Sequence, residues 1–351
     1  MYIYANRNAV HYRSLITTAV IGASGYSGAE LLRLLLQRTD VSVRHAFAAS
    51  SAGKRVSDVH PVFKGVTDLF YESLEAMEIP DVDVAFLALP SGEAMHMVPR
   101  LVPHARKIID LGGDFRLSSP ALYEEFYHRP HAAPGYLCEA VYGLPELNKA
   151  KLPSARLIAN PGCYPTSAIL ALLPALMKSI ISPTGIVINS LSGVTGAGRT
   201  SSVEYSFSEI NENIRAYTIG LHQHLPEIRT ILEQACGRHV SLSFVPHLVP
   251  MNRGIYSTIH ADLEEETTER EIRELYAAFY AADPFVRIRE QAPQIKDVVR
   301  TNYCDIGINI EPRTRQLILT SAIDNLLKGA AGQAVQNLNI IHHLPQQLGL
   351  L

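Results

Sequence analysis

The chain has 351 residues, 47% of them hydrophobic and 19% charged, with a net charge of −3 from 31 basic and 34 acidic side chains. That excludes a disordered or highly charged tail protein and leaves room for about two domains at roughly 150 residues each. No block of like charge points to nucleic acid or an anionic membrane as a partner, and no apolar run approaches the ~20 residues that span a bilayer.

The opening residues, MYIYANRNAVHYRS, lack the apolar stretch of a secretion signal, so the expected setting is the cytoplasm. Ile16–Ile21 is short and β-branched and reads as a buried parallel strand. It runs into GASGYSG (Gly22 to Gly28) and the amphipathic helix AELLRLLLQR. Val41–Ala49 and Asp81–Pro90 read as further strands, followed by a helix near Gly92–Val102 and a strand at Lys107–Leu111. Strands alternating with helices predict an α/β unit with a Rossmann-type, doubly wound parallel sheet. Residues 118–157, rich in Tyr, Pro and His, read as a connecting excursion. Beyond it, GIVINSLSGV, HVSLSFVPHLVP, GIYSTIHADL and LILTSAI predict longer strands with one helix at Thr267–Ala282. That pattern suggests a second, α+β domain with a mixed sheet. The last segment, DNLLKGAAGQAVQNLNIIHHL, reads as a helix with small residues on one face.

Gly22, Gly25 and Gly28 sit where a strand turns into a helix. Glycine there permits the tight turn and the close approach of phosphate oxygens, and the helix start offers N–H donors. A dinucleotide is therefore expected along Gly22, Ser24, Gly25, Tyr26, Ser27 and Gly28, although the same glycines also suit a tightly packed turn. The second strand ends in AASSAGKRVS, which has no carboxylate to hold ribose hydroxyls. Ser50, Ser51, Lys54 and Arg55 suit a 2′-phosphate, which favours NADP over NAD. Ser91 and Gly92 follow the third strand and are expected to touch the cofactor.

Of Cys138, Cys163, Cys236 and Cys304, only Cys163 has a chemical context. Asn-Pro-Gly before it forces a turn and Tyr164-Pro165-Thr166 opens an apolar helix, so the thiol is expected at a helix N-terminus. The dipole there favours the thiolate. Pro174 is expected to kink or end that helix. GLHQHLPEI offers two histidines as proton partners. If that stretch is extended, His222 and His224 face opposite ways and only one meets Cys163. They lack the extra ligands of a zinc site, so no metal is expected.

These motifs, with SAGKRVSDVHP, DLGGDFRL, NPGCYPT, SGVTGAGR, HQHLPEI, NRGIYSTI and AIDNLLKGAAGQAVQN, resemble the N-acetyl-gamma-glutamyl-phosphate reductases of the aspartate-semialdehyde dehydrogenase superfamily, from Thr17 to about Pro345. The resemblance implies Cys163 as nucleophile and His222 as acid/base, although the spacing also admits His224. It implies NADPH as reductant and an acyl-phosphate substrate reduced to a semialdehyde in arginine biosynthesis. For that substrate Arg116 and Arg199 suit phosphate and carboxylate, with Asn160 beside them. Tyr217 matches an active-site tyrosine of some members, with one residue fewer before the histidine. Asn325, Lys328 and Gly329 are implied to pack back against the cofactor domain, and Asn325 and Lys328 to touch the cofactor. The expected division is 1–162 with 325–351 for NADP, and 163–324 for catalysis and dimerisation in a homodimer or homotetramer. The alternatives are a related reductase of aminoadipyl or aspartyl phosphate and a non-catalytic NADP-binding sensor.

Overall fold

A computed structural model of the chain describes residues 2–6, 9–13, 15–74, 81–199 and 202–351. The N-terminal arm forms an antiparallel hairpin, β1 (Tyr2–Asn6) and β2 (Ala9–Arg13), separate from the two large sheets. The four expected strands follow as β3 (Ile16–Ile21), β4 (Val41–Phe47), β5 (Val82–Leu87) and β6 (Ala105–Asp110). The segment read as a connecting excursion adds two more, β7 (Ala140–Tyr142) and β8 (Leu157–Ala159). Three residues are too few to display a period, so only the sheet reveals them. All six strands are parallel, in the order β4-β3-β5-β6-β8-β7. The chain steps outward from β3 to β4 and returns to the other side at β5. The loops after β3 and β5 therefore meet at a topological switch point, where open α/β sheets bind ligands.

The second sheet is mixed: β9 (Ile186–Ser192), β10 (Arg215–Ala216), β11 (Leu242–Leu248), β12 (Ile255–Asp262), β13 (Val286–Arg289), β14 (Cys304–Glu311) and β15 (Gln316–Ile323) lie in the order β10-β11-β9-β12-β15-β14-β13. β14 was not expected, because CDIGINIE interleaves Asp, Gly and Asn with isoleucine. Its pairing with β13 and β15 supplies what the local pattern lacks, and the buried Asp305 is met by Arg287 at 2.6 Å.

The Cys163–Met177 helix is buried from Tyr164 to Leu176 against this sheet. Pro174 does not end it. A proline leaves the carbonyl four residues back without its donor. That carbonyl, Leu170 O, receives the Tyr280 hydroxyl at 2.6 Å, and Tyr276 donates to Ala171 O at the same distance. The C-terminal segment also differs from the single helix expected. A π-turn at Leu327–Ala331 precedes the α-helix Gly332–Ile341. Leu327, Ala331, Ala334, Val335 and Leu338 share a core with Val20, Leu31 and Leu35, so the chain's end packs on the first sheet. Among the described residues no helix is long and apolar enough to cross a membrane.

Candidate active site

The three loop glycines do different work. Gly22 has φ +85°, and a Cβ there would be driven into the carbonyl of Ala88. A Cβ on Gly28 would be driven into Gly22 O, so these two residues make the strand–helix contact possible. At Gly25, the N-cap of the Tyr26–Leu36 helix, a Cβ would meet nothing closer than Gly22 O at 3.6 Å, and no side chain caps the helix. No side chain therefore occupies the start of this helix, the arrangement that suits an anion at its first-turn amides. Gly28→Ala is expected to cost about 1–3 kcal/mol of stability in urea unfolding. Gly25→Ala should leave the unfolding midpoint unchanged and weaken dinucleotide binding, read by titration.

At the end of β4, Ser50 is exposed and Ser51 buried, and Lys54 is exposed. Arg55 lies over the Phe70 ring at 5.2 Å, with Asp68 at 3.5 Å. Glu72 bridges alongside Phe47 and is held by His45 at 3.0 Å. Ser91 and Gly92 flank a turn that Asp114 pins by accepting from Gly92 N at 2.6 Å, and the exposed Arg129 guanidinium lies against it.

Cys163 is the first residue of its helix, after Gly162 in extended conformation. The expected resting thiolate is not what the surroundings favour. Burial pushes the thiol up to about 11, and Arg116 with the backbone amides of Tyr164 and Cys163 offsets this only in part. Arg116 donates from Nε to Asn160 O (2.9 Å), from Nη2 to Leu111 O (2.7 Å) and from Nη1 to Glu227 (3.3 Å). Its largely buried guanidinium thereby holds the turn that carries the thiol. Asn160 is fully buried between Ala330 O and Asn337, which likewise places it in the scaffold of that turn.

The histidine pair is not extended. His222 lies in a turn and His224 begins the His224–Cys236 helix, so the rings sit side by side with centroids 4.8 Å apart. His224 N donates to His222 Nδ1 at 3.0 Å, which puts the His222 ring proton on Nε2. Burial pushes His222 down to about 4 and His224 well below its ordinary value, so both are neutral at pH 7. His224 is buried, with Nε2 near Arg116 Nη1 at 3.4 Å. A Cβ on Gly162 would come within 2.6 Å of that nitrogen. His222 is half-buried among Tyr164, Tyr217 and Phe244. Directly after Tyr217, Thr218 takes φ 42°, a left-handed conformation rare for a β-branched residue. Tyr217 still reaches the site, 2.9 Å from the Tyr164 hydroxyl.

Three other expected contacts lie elsewhere. The exposed Arg199 donates to Ser24 O at 2.9 Å and so meets the glycine loop. Asn325 accepts from Gly254 N and donates to Thr195, with both ends of its amide used inside the protein. Lys328 is fully buried with its ammonium on Glu146 at 2.6 Å, which leaves it no reach toward a nucleotide. The residue that sequence reasoning missed is Glu227. It is fully buried and accepts from Gly162 N and Tyr142 Oη at 2.8 Å each, besides Arg116. An acid in a helix's first turn ordinarily signals only dipole compensation.

Two family models match the chain: semialdehyde dehydrogenase, NAD binding domain, over residues 17–155, and semialdehyde dehydrogenase, dimerisation domain, over residues 163–325. The N-acetyl-gamma-glutamyl-phosphate reductase of Pelotomaculum thermopropionicum is 46% identical over 95% of this chain and 97% of its own. Those of Symbiobacterium thermophilum and Geobacter metallireducens are 44% and 45% identical, each over 96% of this chain and 97% and 98% of their own. In fold the chain is similar to aspartate semialdehyde dehydrogenase II of Vibrio cholerae (TM-score 0.73, 17% identity, covering 94% of this chain and 99% of that one). It is similar also to the aspartate semialdehyde dehydrogenase of Candida albicans with NADP (TM-score 0.71, 16% identity, 93% and 99%). Parallel sheet, open helix start and family matches together define a nicotinamide-dependent oxidoreductase. The chain belongs to the N-acetyl-gamma-glutamyl-phosphate reductase family of semialdehyde dehydrogenases.

Proposed function

We propose that this protein reduces N-acetyl-gamma-glutamyl phosphate to the semialdehyde with release of phosphate, in arginine biosynthesis, using NADPH and a thioester on Cys163. The observation that carries the reading is the thiol at the first residue of a buried helix, with Arg116 acting on it and His224 against the preceding Gly162, in a chain matching reductases of that name over nearly its whole length.

Cys163 Sγ attacks the acyl carbon and the bond to the phosphate oxygen breaks. The sulfur's proton leaves on phosphate and a thioester remains, so the step balances without a further base. Backbone amides at the helix start stabilise the tetrahedral oxyanion. The cofactor's contribution, when bound along Gly22, Ser24, Gly25, Tyr26, Ser27 and Gly28, is hydride chemistry at the acyl carbon. His222 is the acid/base: its Nε2–H can donate a hydrogen bond to the acyl oxygen, and the proton that the sulfur takes up as the aldehyde departs is drawn from solvent through that ring. Tyr217 flanks the same ring, and Arg199 lies at the glycine loop, placed for an anion there.

NADPH is favoured over NADH because the segment AASSAGKRVS after β4 carries no carboxylate but offers Ser50, Ser51 and Lys54. Residues 1–162 with 325–351 form the nucleotide unit and 163–324 the catalytic and dimerisation unit, which supports a homodimer or homotetramer. Four free cysteines suit the reducing cytoplasm. The test is an assay of purified protein with acetylglutamyl, aspartyl and aminoadipyl phosphates, each with NADPH and NADH. The acetylglutamyl substrate should lead, and NADPH should exceed NADH in kcat/KM by at least about tenfold, the size of one charge-assisted contact. A lead for another acyl phosphate, or no turnover at all, overturns the reading.

A further inference from the structure

Lys328 sits in the π-turn Leu327–Ala331, and the three consecutive residues Lys328, Gly329 and Ala330 each hold a different part of the molecule. Lys328 Nζ bonds Glu146 Oε1 at 2.6 Å and Gln336 Oε1 at 2.7 Å, with both ends of the ion pair fully buried. Gly329 lies against the nucleophile: a Cβ there would stand 2.9 Å from Cys163 Cβ and 3.2 Å from its Cα. The carbonyl of Ala330 accepts from Asn160 Nδ2 at 3.1 Å, three residues before the thiol. The turn itself is closed by the bonds Gly329 N to Asp324 O (3.0 Å) and Ala331 N to Leu326 O (2.8 Å). Such i to i+5 turns are rare and concentrate at functional sites.

We propose that Lys328 is a positioning residue, which anchors the π-turn to Glu146 and thereby fixes the wall against which Cys163 is set. The inference rests on Cys163 being the nucleophile. A buried ion pair is a poor way to add stability, because apolar replacements of similar volume are often neutral or stabilising. Placement of the backbone next to the thiol is a function that such replacements do not supply.

The test compares the wild type with K328M and with E146L/K328M, which removes both charges and leaves neither unpaired. For each, steady-state kinetics, NADPH titration and the rate of Cys163 alkylation by iodoacetamide are measured. In E146L/K328M, kcat is expected to fall about 10²-fold, as misplacement by about an ångström produces. KM for the acyl phosphate and Kd for NADPH should shift less than about threefold, and the alkylation rate should depart from that of the wild type. Unfolding of K328M alone does not bear on this, because the double variant carries the test. A double variant with wild-type kcat and alkylation reduces the pair to packing, and weakened NADPH binding with kcat intact makes Lys328 a cofactor ligand; either overturns the proposal. Should the wild type turn over no acyl phosphate, the reductase reading fails on its own, and the alkylation comparison still decides the role of the anchor.

Discussion

Cys163→Ser is expected to lower kcat/KM with the acyl phosphate by at least about 10⁴-fold while NADPH binding stays unchanged. An alcohol in the same pocket is far harder to ionise, and no other thiol substitutes for it. Cys304 is buried in β14, Cys138 is exposed, and Cys236 ends a helix. The pH dependence of alkylation gives an independent reading. Burial holds the resting thiol up to about 11, so thiolate is scarce at pH 7 and the rate should climb through the alkaline range. A plateau already reached at pH 7 would mean that Arg116 and the helix amides outweigh burial. Survival of activity in Cys163→Ser would remove the thioester route altogether.

What the sequence reveals of this protein is mostly what local pattern can carry. Gly22 and Gly28 mark the strand–helix turn because only glycine suits those contacts, and NPGCYP marks a turn entering a helix. β14 escapes notice because its burial comes from neighbouring strands and the charge of Asp305 is answered by Arg287, eighteen residues away in sequence but adjacent in space. Polar site residues are harder still. Arg116, Asn160, Asn325 and Lys328 carry groups that suit ligands, and the fold spends those same groups on carbonyls and carboxylates of its own. Nothing in the spacing distinguishes a guanidinium that meets a phosphate from one that meets Glu227. The histidines fail for a related reason: HQH is extended or turned according to the helix that follows, and the Nδ1 contact from His224 N exists only in the turn.

Glu227→Ala should be the most damaging change to stability, with about 3–5 kcal/mol lost in urea unfolding, the range for breaking a buried pair from one side. The carboxylate meets three donors at once: Gly162 N, Tyr142 Oη and the Arg116 guanidinium. Removing it leaves a buried cation and two buried donors without acceptors. Glu227→Gln is the sharper probe, since an amide oxygen keeps the bonds to Gly162 and Tyr142 while the charge and the acceptor for Arg116 are lost. Glu227 pushes the Cys163 thiol up while Arg116 pulls it down, so neutralising the acid leaves the cation's field unopposed. Thiolate therefore becomes more abundant, and Glu227→Gln should be alkylated faster at neutral pH than the wild type. Slower alkylation in a folded Glu227→Gln protein would show that Arg116 loses its place when its partner is neutral, and that position rather than charge is what Glu227 provides to the thiol.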